Sequence, residues 1–147
     1  VSAASRGPIV VDTDVFSAEL ISGSELAERY APLTTGRLAF ISFQTAAEIR
    51  YGALLRGWGR ARLITLESKL AHVEVVHSGP ELVVVHAQLR VDCRMAGHAL
   101  ADQAHNADRW IAATAIRLGL PLVSNDGIFR GVSGLELATL SGGPTST

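Results

Sequence analysis

The stretch 105–126, reading HNADRWIAATAIRLGLPLVSND, constrains the fold of this chain more than any other. Asn106 is a good helix N-cap, and Asp108 falls in the first turn, where the helix dipole favours a carboxylate. Ile111, Ala115 and Leu118 follow at helical spacing, and Gly119 sits where a terminating glycine belongs. Residues 120–123, LPLV, read as a short buried strand that closes on the turn Ser124, Asn125, Asp126, Gly127. A helix that opens on one acid is thus followed by a strand that ends on another. In an open α/β sheet, helix N-termini and strand carboxyl ends share the edge where ligands bind. Asp108 and Asp126, eighteen positions apart, are expected to meet there.

The rest of the chain repeats that grammar. Apolar runs at 8–11 and 38–43 read as buried strands, with shorter strands expected at 72–76 and 135–140. Helices are expected from Thr13 to near Gly23, over 25–30 behind a Ser24 cap, and from a Thr45/Glu48 capping box to near Gly57. Two more cover 60–70 and 80–95, the latter with Ser78 as N-cap and Pro80 early in the helix; 32–36 reads as a loop. Strands alternating with helices predict an α/β fold, a three-layer sandwich with a mostly parallel central sheet. One domain is expected over 8–140, with flexible ends at 1–7 and 141–147.

Composition mainly excludes. Hydrophobic residues make up 48% of the 147, too many for a disordered chain. No apolar run reaches the roughly 18 residues of a membrane helix, and the N-terminal run is too short for a secretory signal. A single cysteine, Cys93, excludes an internal disulfide and fits a reducing cytoplasm. The five histidines show no HxxxH or HExxH spacing, and there is no zinc pattern, Walker loop, GxGxxG or GxSxG elbow. Trp58, Trp110 and Phe43 read as core or partner contacts rather than base-stacking platforms.

The acids are more informative. Asp12, Asp14, Glu48, Asp108 and Asp126 all fall at expected element ends; without them the remainder of this chain, whose net charge is −1, is mildly basic. Singly, each has an ordinary structural reading. Asp12 is a turn or cap after its strand, Glu48 half of a capping box, Asp14 and Asp108 first-turn helix acids, and Asp126 a turn residue. Jointly they converge on one edge of a parallel sheet, where uncompensated carboxylates repel and their pKa values rise. A divalent cation removes that cost, and a hard oxygen donor set selects Mg²⁺ or Mn²⁺.

VVDTDVF at 10–16, ISFQTAAEIRYGA at 41–53, NADRWIAATAIRLGLPLVSND at 106–126 and Phe129 together resemble a PIN domain, specifically the VapC-type ribonuclease toxins of bacterial toxin–antitoxin pairs. The segments run in family order over most of the chain. The resemblance implies that Asp12, Glu48, Asp108 and Asp126 are the catalytic quartet that binds Mg²⁺ (or Mn²⁺) for hydrolysis of an RNA phosphodiester. It also implies a homodimer held inactive by a cognate VapB-type antitoxin lying over the acidic groove. Two positions depart from the pattern. Asp14 stands where the family often has Ser, Thr or Asn, and is either an auxiliary ligand or a partner of one. Ile128 stands where a second acid often follows Asp126. Arg50, Arg56, Arg60 and Arg62 form a basic stretch after Glu48, either RNA backbone contacts or a solvated helix face.

Two other readings compete. Asp12-Thr13-Asp14 after an apolar strand, with Ser124 later, resembles the haloacid-dehalogenase phosphatases, but no lysine follows Ser124. A PIN-like domain that binds RNA or a partner without cutting is the second, and the complete quartet argues against it.

Overall fold

The computed structural model describes residues 6–142. Five strands form one sheet in the order β3-β2-β1-β4-β5, with every pairing parallel. They are β1 (Ile9–Val11), β2 (Ala39–Ser42), β3 (Glu74–Val76), β4 (Leu122–Val123) and β5 (Leu137–Ala138). Between them lie α1 (Thr13–Glu19), α2 (Glu25–Thr34), α3 (Phe43–Leu55), α4 (Arg60–Ala71), α5 (Pro80–Met95) and α6 (Asn106–Leu118).

The central strand explains its own sequence. Ile9 and Val11 join one buried cluster with Val15, Phe16, Tyr30 and Ile49, while Val10 joins the other with Leu82, Leu89 and Ile111. Side chains alternate across a strand, so a β1 covered by helices on both faces must be apolar throughout. The two clusters are the two interfaces of a three-layer α/β sandwich. Trp110 packs edge-on to Phe43 at 5.4 Å and stacks on His86 at 3.8 Å, a packing role as expected. Among the described residues, no helix is long and apolar enough to cross a membrane.

The chain steps outward from β1 to β2 and β3, then crosses back to place β4 on the other side of β1. The order therefore reverses between β1 and β4, and the crevice beyond their carboxyl ends is where such sheets bind ligands. Asp12 leaves β1 at that point, its N–H bonded to Val123 O at 2.9 Å.

Four local expectations need correction. Helix α3 starts three residues early, because the Ser42 hydroxyl accepts the Gln44 N–H at 3.1 Å and caps it. Thr45 and Glu48 lie inside the helix, and there is no capping box. Asn106 is helical (φ −59°, ψ −43°), because a 3₁₀ turn, Gln103–His105, runs directly into α6 and leaves His105 at the cap position. Gly79, not Ser78, caps α5, since Pro80 at the first turn forces the residue before it into an extended conformation. Helix α2 runs through Pro32 to Thr34, because Leu33 packs on the same core as Tyr30 one turn earlier. The helix C-stop at Gly119 is as expected, with φ +66° in the left-handed region that glycine adopts without strain.

Of the ends expected to be flexible, 1–5 and 143–147 lie outside the described residues. Next to them, Arg37 Nε donates to Gly7 O at 2.8 Å, and Arg130 bonds the Ser141 hydroxyl at 2.7 Å.

Candidate active site

Asp12 is the buried centre of the edge, 5% exposed. Its Oδ1 accepts the Thr13 N–H at 2.7 Å and its Oδ2 accepts the Ser124 hydroxyl at 2.7 Å. Burial first, then the neighbouring Asp14 charge and more weakly that of Asp108, push its pKa up to about 8 against the pull of those two bonds. Among the described residues, no positively charged side chain is one of its hydrogen-bond partners.

Ser124 couples this carboxylate to the next acid. Its Oγ donates to Asp12 and accepts the Asp126 N–H at 3.0 Å, so the strand end carrying Asp126 is fastened to Asp12. Asp126 itself is exposed and caps a 3₁₀ turn, Gly127–Phe129, through the Ile128 N–H at 2.9 Å. Tyr30, fully buried on α2, reaches the same turn. Its hydroxyl donates to Asn125 Oδ1 at 2.8 Å and accepts the Leu140 N–H at 2.9 Å. Sequence reading singled out neither Ser124 nor Tyr30 as site residues. Nothing local marks them, because their partners lie 112 and 95 positions away.

Asp14 is tied to the same turn. Its Oδ1 accepts the Val15 N–H at 2.7 Å and its Oδ2 the Asn125 N–H at 3.0 Å. Burial raises its pKa, the two amide bonds and a hydrogen bond with the Asp12 side chain pull back, and the Asp126 charge raises it further. Asp108 is half-buried in the first turn of α6, where its Oδ2 meets His105 Nδ1 at 2.9 Å.

Behind Asp108, Arg109 is completely buried. It holds the preceding segment by donating to Leu100 O at 2.8 Å, Asp102 O at 2.6 Å and Asn106 Oδ1 at 3.2 Å.

Glu48 lies one turn beyond Thr45, whose hydroxyl accepts that of Thr13 at 3.0 Å. Its Oε1 accepts Gln44 Nε2 at 3.0 Å, and it lines a cleft with Thr13, Ser17, Arg56 and Trp58. The four arginines divide. Arg50 forms a two-pronged pair with Glu67 at 2.8 and 3.0 Å, so the stretch is not acid-free in space. Arg62 lies over the Trp58 ring at 4.1 Å, Arg56 lines the Glu48 cleft, and Arg60 is exposed at the start of α4.

The structure thus links Asp12 to Asp14 and Asp108 through their charges and to the Asp126 turn through Ser124, and places Glu48 in a cleft with Thr13, the residue after Asp12. Among the described residues, no three acidic, histidine or cysteine side chains stand close enough to hold an ion together. The donor set still fits a hard divalent cation. A buried carboxylate facing two more, compensated only by neutral donors, is an arrangement that positive charge relieves.

A family model described as PIN domain matches residues 9–135, which is most of the chain. This chain belongs to the PIN domain family. The match spans both segments on which the phosphatase reading drew. Solved structures agree in fold. The PIN domain here superposes on a chain of VapBC2 from Rickettsia felis bound to a promoter DNA fragment, with TM-score 0.72 and 20% identity over 89% of this chain and 97% of that one. It resembles DNA-bound VapBC from Salmonella typhimurium at TM-score 0.71 and 22% identity, covering 91% and 98%. VapBC-5 from Mycobacterium tuberculosis gives TM-score 0.63 and 27% identity, covering 91% and 98%. No curated protein matches the chain.

Proposed function

We propose that this PIN domain is a VapC-type toxin, a Mg²⁺-dependent endoribonuclease held inactive by a VapB-type antitoxin in the cytoplasm. The observation that carries the reading is Asp12, a buried carboxylate at the switch point of a PIN sheet with Asp14 and Asp108 beside it. Asp12, Glu48, Asp108 and Asp126 would hold the cation. Mg²⁺ or Mn²⁺ held there would supply activation of a water and stabilisation of charge on the scissile phosphate. The reaction so supported would be hydrolysis, with water's oxygen joined to phosphorus, one P–O ester bond of the RNA broken, and the proton passed to the released oxygen.

The chain's own part is positioning. Thr13 N–H and the Ser124 hydroxyl fix both oxygens of Asp12, and Ser124 fixes the Asp126 strand end in the same register. Arg56 and Arg60 suit contact with the RNA backbone, while Arg50 is committed to Glu67. The exposed Tyr51, which lines the Glu48 cleft, and the exposed Leu54, Leu55 and Ile64 on α3 and α4 suit an antitoxin segment. Val84, Val91 and Met95 form an exposed apolar stripe on α5 that suits a second copy. VapBC-5, similar in fold, is a member of a family of toxin–antitoxin systems, which supports the antitoxin partner.

With purified protein and total cellular RNA, new RNA ends are expected with Mg²⁺ or Mn²⁺ and none in EDTA. Full activity in chelator overturns the metal mechanism; cation binding without any cleavage returns the domain to a binding role.

Asp14→Asn separates an auxiliary from an essential acid. Both Asp14 oxygens are taken by backbone amides, so its work is to join α1 to the Asn125 turn. The variant is expected to keep measurable RNase activity with at most a weakened Mg²⁺ affinity, and wild type to leave p-nitrophenyl phosphate intact. Loss of the order of 10²–10⁴-fold, the usual cost of removing a general acid, contradicts the auxiliary role.

A further inference from the structure

His105 occupies an unusual place for a residue with no metal-binding spacing. It ends the 3₁₀ turn before α6, with ring Nδ1 2.9 Å from Asp108 Oδ2. A carboxylate brings only lone pairs to such a contact, so the ring must present Nδ1–H. The pair is not a loose surface contact. Its two side chains are 32% and 28% exposed, and the backbone beneath them is clamped from both sides. His105 N–H donates to Asp102 O at 3.0 Å, and the Arg109 guanidinium binds the carbonyls of Leu100 and Asp102 and the Asn106 side chain. A buried arginine therefore fixes the segment, the segment fixes the ring, and the ring fixes one oxygen of Asp108.

We propose that His105 is a positioning residue for Asp108: its Nδ1–H holds Oδ2 and so fixes the orientation in which the carboxylate would be offered to a cation. This rests on the metal-dependent reading above and adds to it a residue outside the acidic quartet. Carboxylates that bind metals are held by a second hydrogen bond, and removing such a partner typically costs about 10–100-fold in metal affinity. A rotamer held in advance avoids the ordering cost that a free carboxylate meets on binding.

The test is Mn²⁺ binding by titration calorimetry at one fixed pH, with melting temperature in EDTA read on each variant. His105→Ala is expected to weaken Mn²⁺ by about 10–100-fold. In His105→Asn the amide nitrogen stands where Nδ1 was, so affinity should return to within a few-fold of wild type. His105→Gln carries its amide farther out and should not rescue. All three should melt within a few degrees of wild type. Wild-type affinity in His105→Ala overturns this assignment and leaves the metal site standing. A loss that Asn fails to restore, with a matching drop in melting temperature, makes the pair merely structural and also overturns it. No Mn²⁺ binding by wild type overturns both the assignment and the reading on which it rests.

Discussion

Asp12→Asn is expected to melt above wild type at pH 8 in EDTA while losing RNA cleavage altogether. The Asp12 carboxyl titrates near 3.8 when unfolded and is pushed up to about 8 by burial and then by Asp14. Between those values the folded protein keeps a proton that the unfolded chain releases. Stability conferred by that proton is complete below pH 4 and drains away as pH rises toward 8, by up to about 1.4 kcal/mol per pH unit. Asparagine is nearly the same size and carries no charge. Its oxygen can accept the Thr13 N–H, and its amide can donate to the Ser124 hydroxyl, which has a second lone pair for the Asp126 N–H. Scanning calorimetry from pH 5 to 9 should show wild type falling with pH, the variant nearly flat, and the gap widest at the alkaline end. Added Mg²⁺ should lift wild type alone, because a ligand stabilises only the state that binds it. Parallel pH profiles for the two proteins would refute this account of Asp12.

Glu48→Gln should abolish cleavage and leave the fold almost untouched. From sequence, Thr45 and Glu48 make a plausible capping box, and the substitution would then weaken a helix start. The structure removes that ambiguity. Ser42 caps α3, and the Glu48 carboxylate bonds only the Gln44 side chain. The roughly 0.5–2 kcal/mol of a cap therefore belongs to Ser42, and an isosteric change at a half-buried helix position typically stays within about 0.5 kcal/mol. If Glu48 holds the cation as proposed, glutamine cannot replace its negative charge. The rate on RNA should fall by more than the roughly 100-fold upper cost of an outer-shell change, with melting shifted by no more than a few degrees. Near-normal cleavage would remove Glu48 from the site.

Several features were legible because they are local. The terminating Gly119, the Ser24 cap and the apolar β1 run each record a backbone need or a burial state within a few residues. Errors of one or two residues arose where two local signals compete. Asn106 is a good cap, but a 3₁₀ turn already feeds α6; Ser78 is a good cap, but Pro80 dictates the conformation of Gly79. The arginine stretch misled differently. Glu67 lies seventeen positions beyond Arg50 and meets it only because α3 and α4 pack together.

By itself, then, the sequence determined the alternation of strands and helices and the placing of four aspartates at their ends, because burial and backbone conformation leave period and punctuation in the chain. It did not determine which strand lies beside which. Only the tertiary structure seats β4 against β1, and with that pairing Ser124 meets Asp12 and the Asp14 carboxylate meets the Asn125 amide. Tyr30 crosses from another layer to the same turn, and Arg109 finds its carbonyls in the segment before its own helix. Contacts between residues far apart in the chain come from filling one core at native density, a condition on the whole molecule that no single stretch encodes.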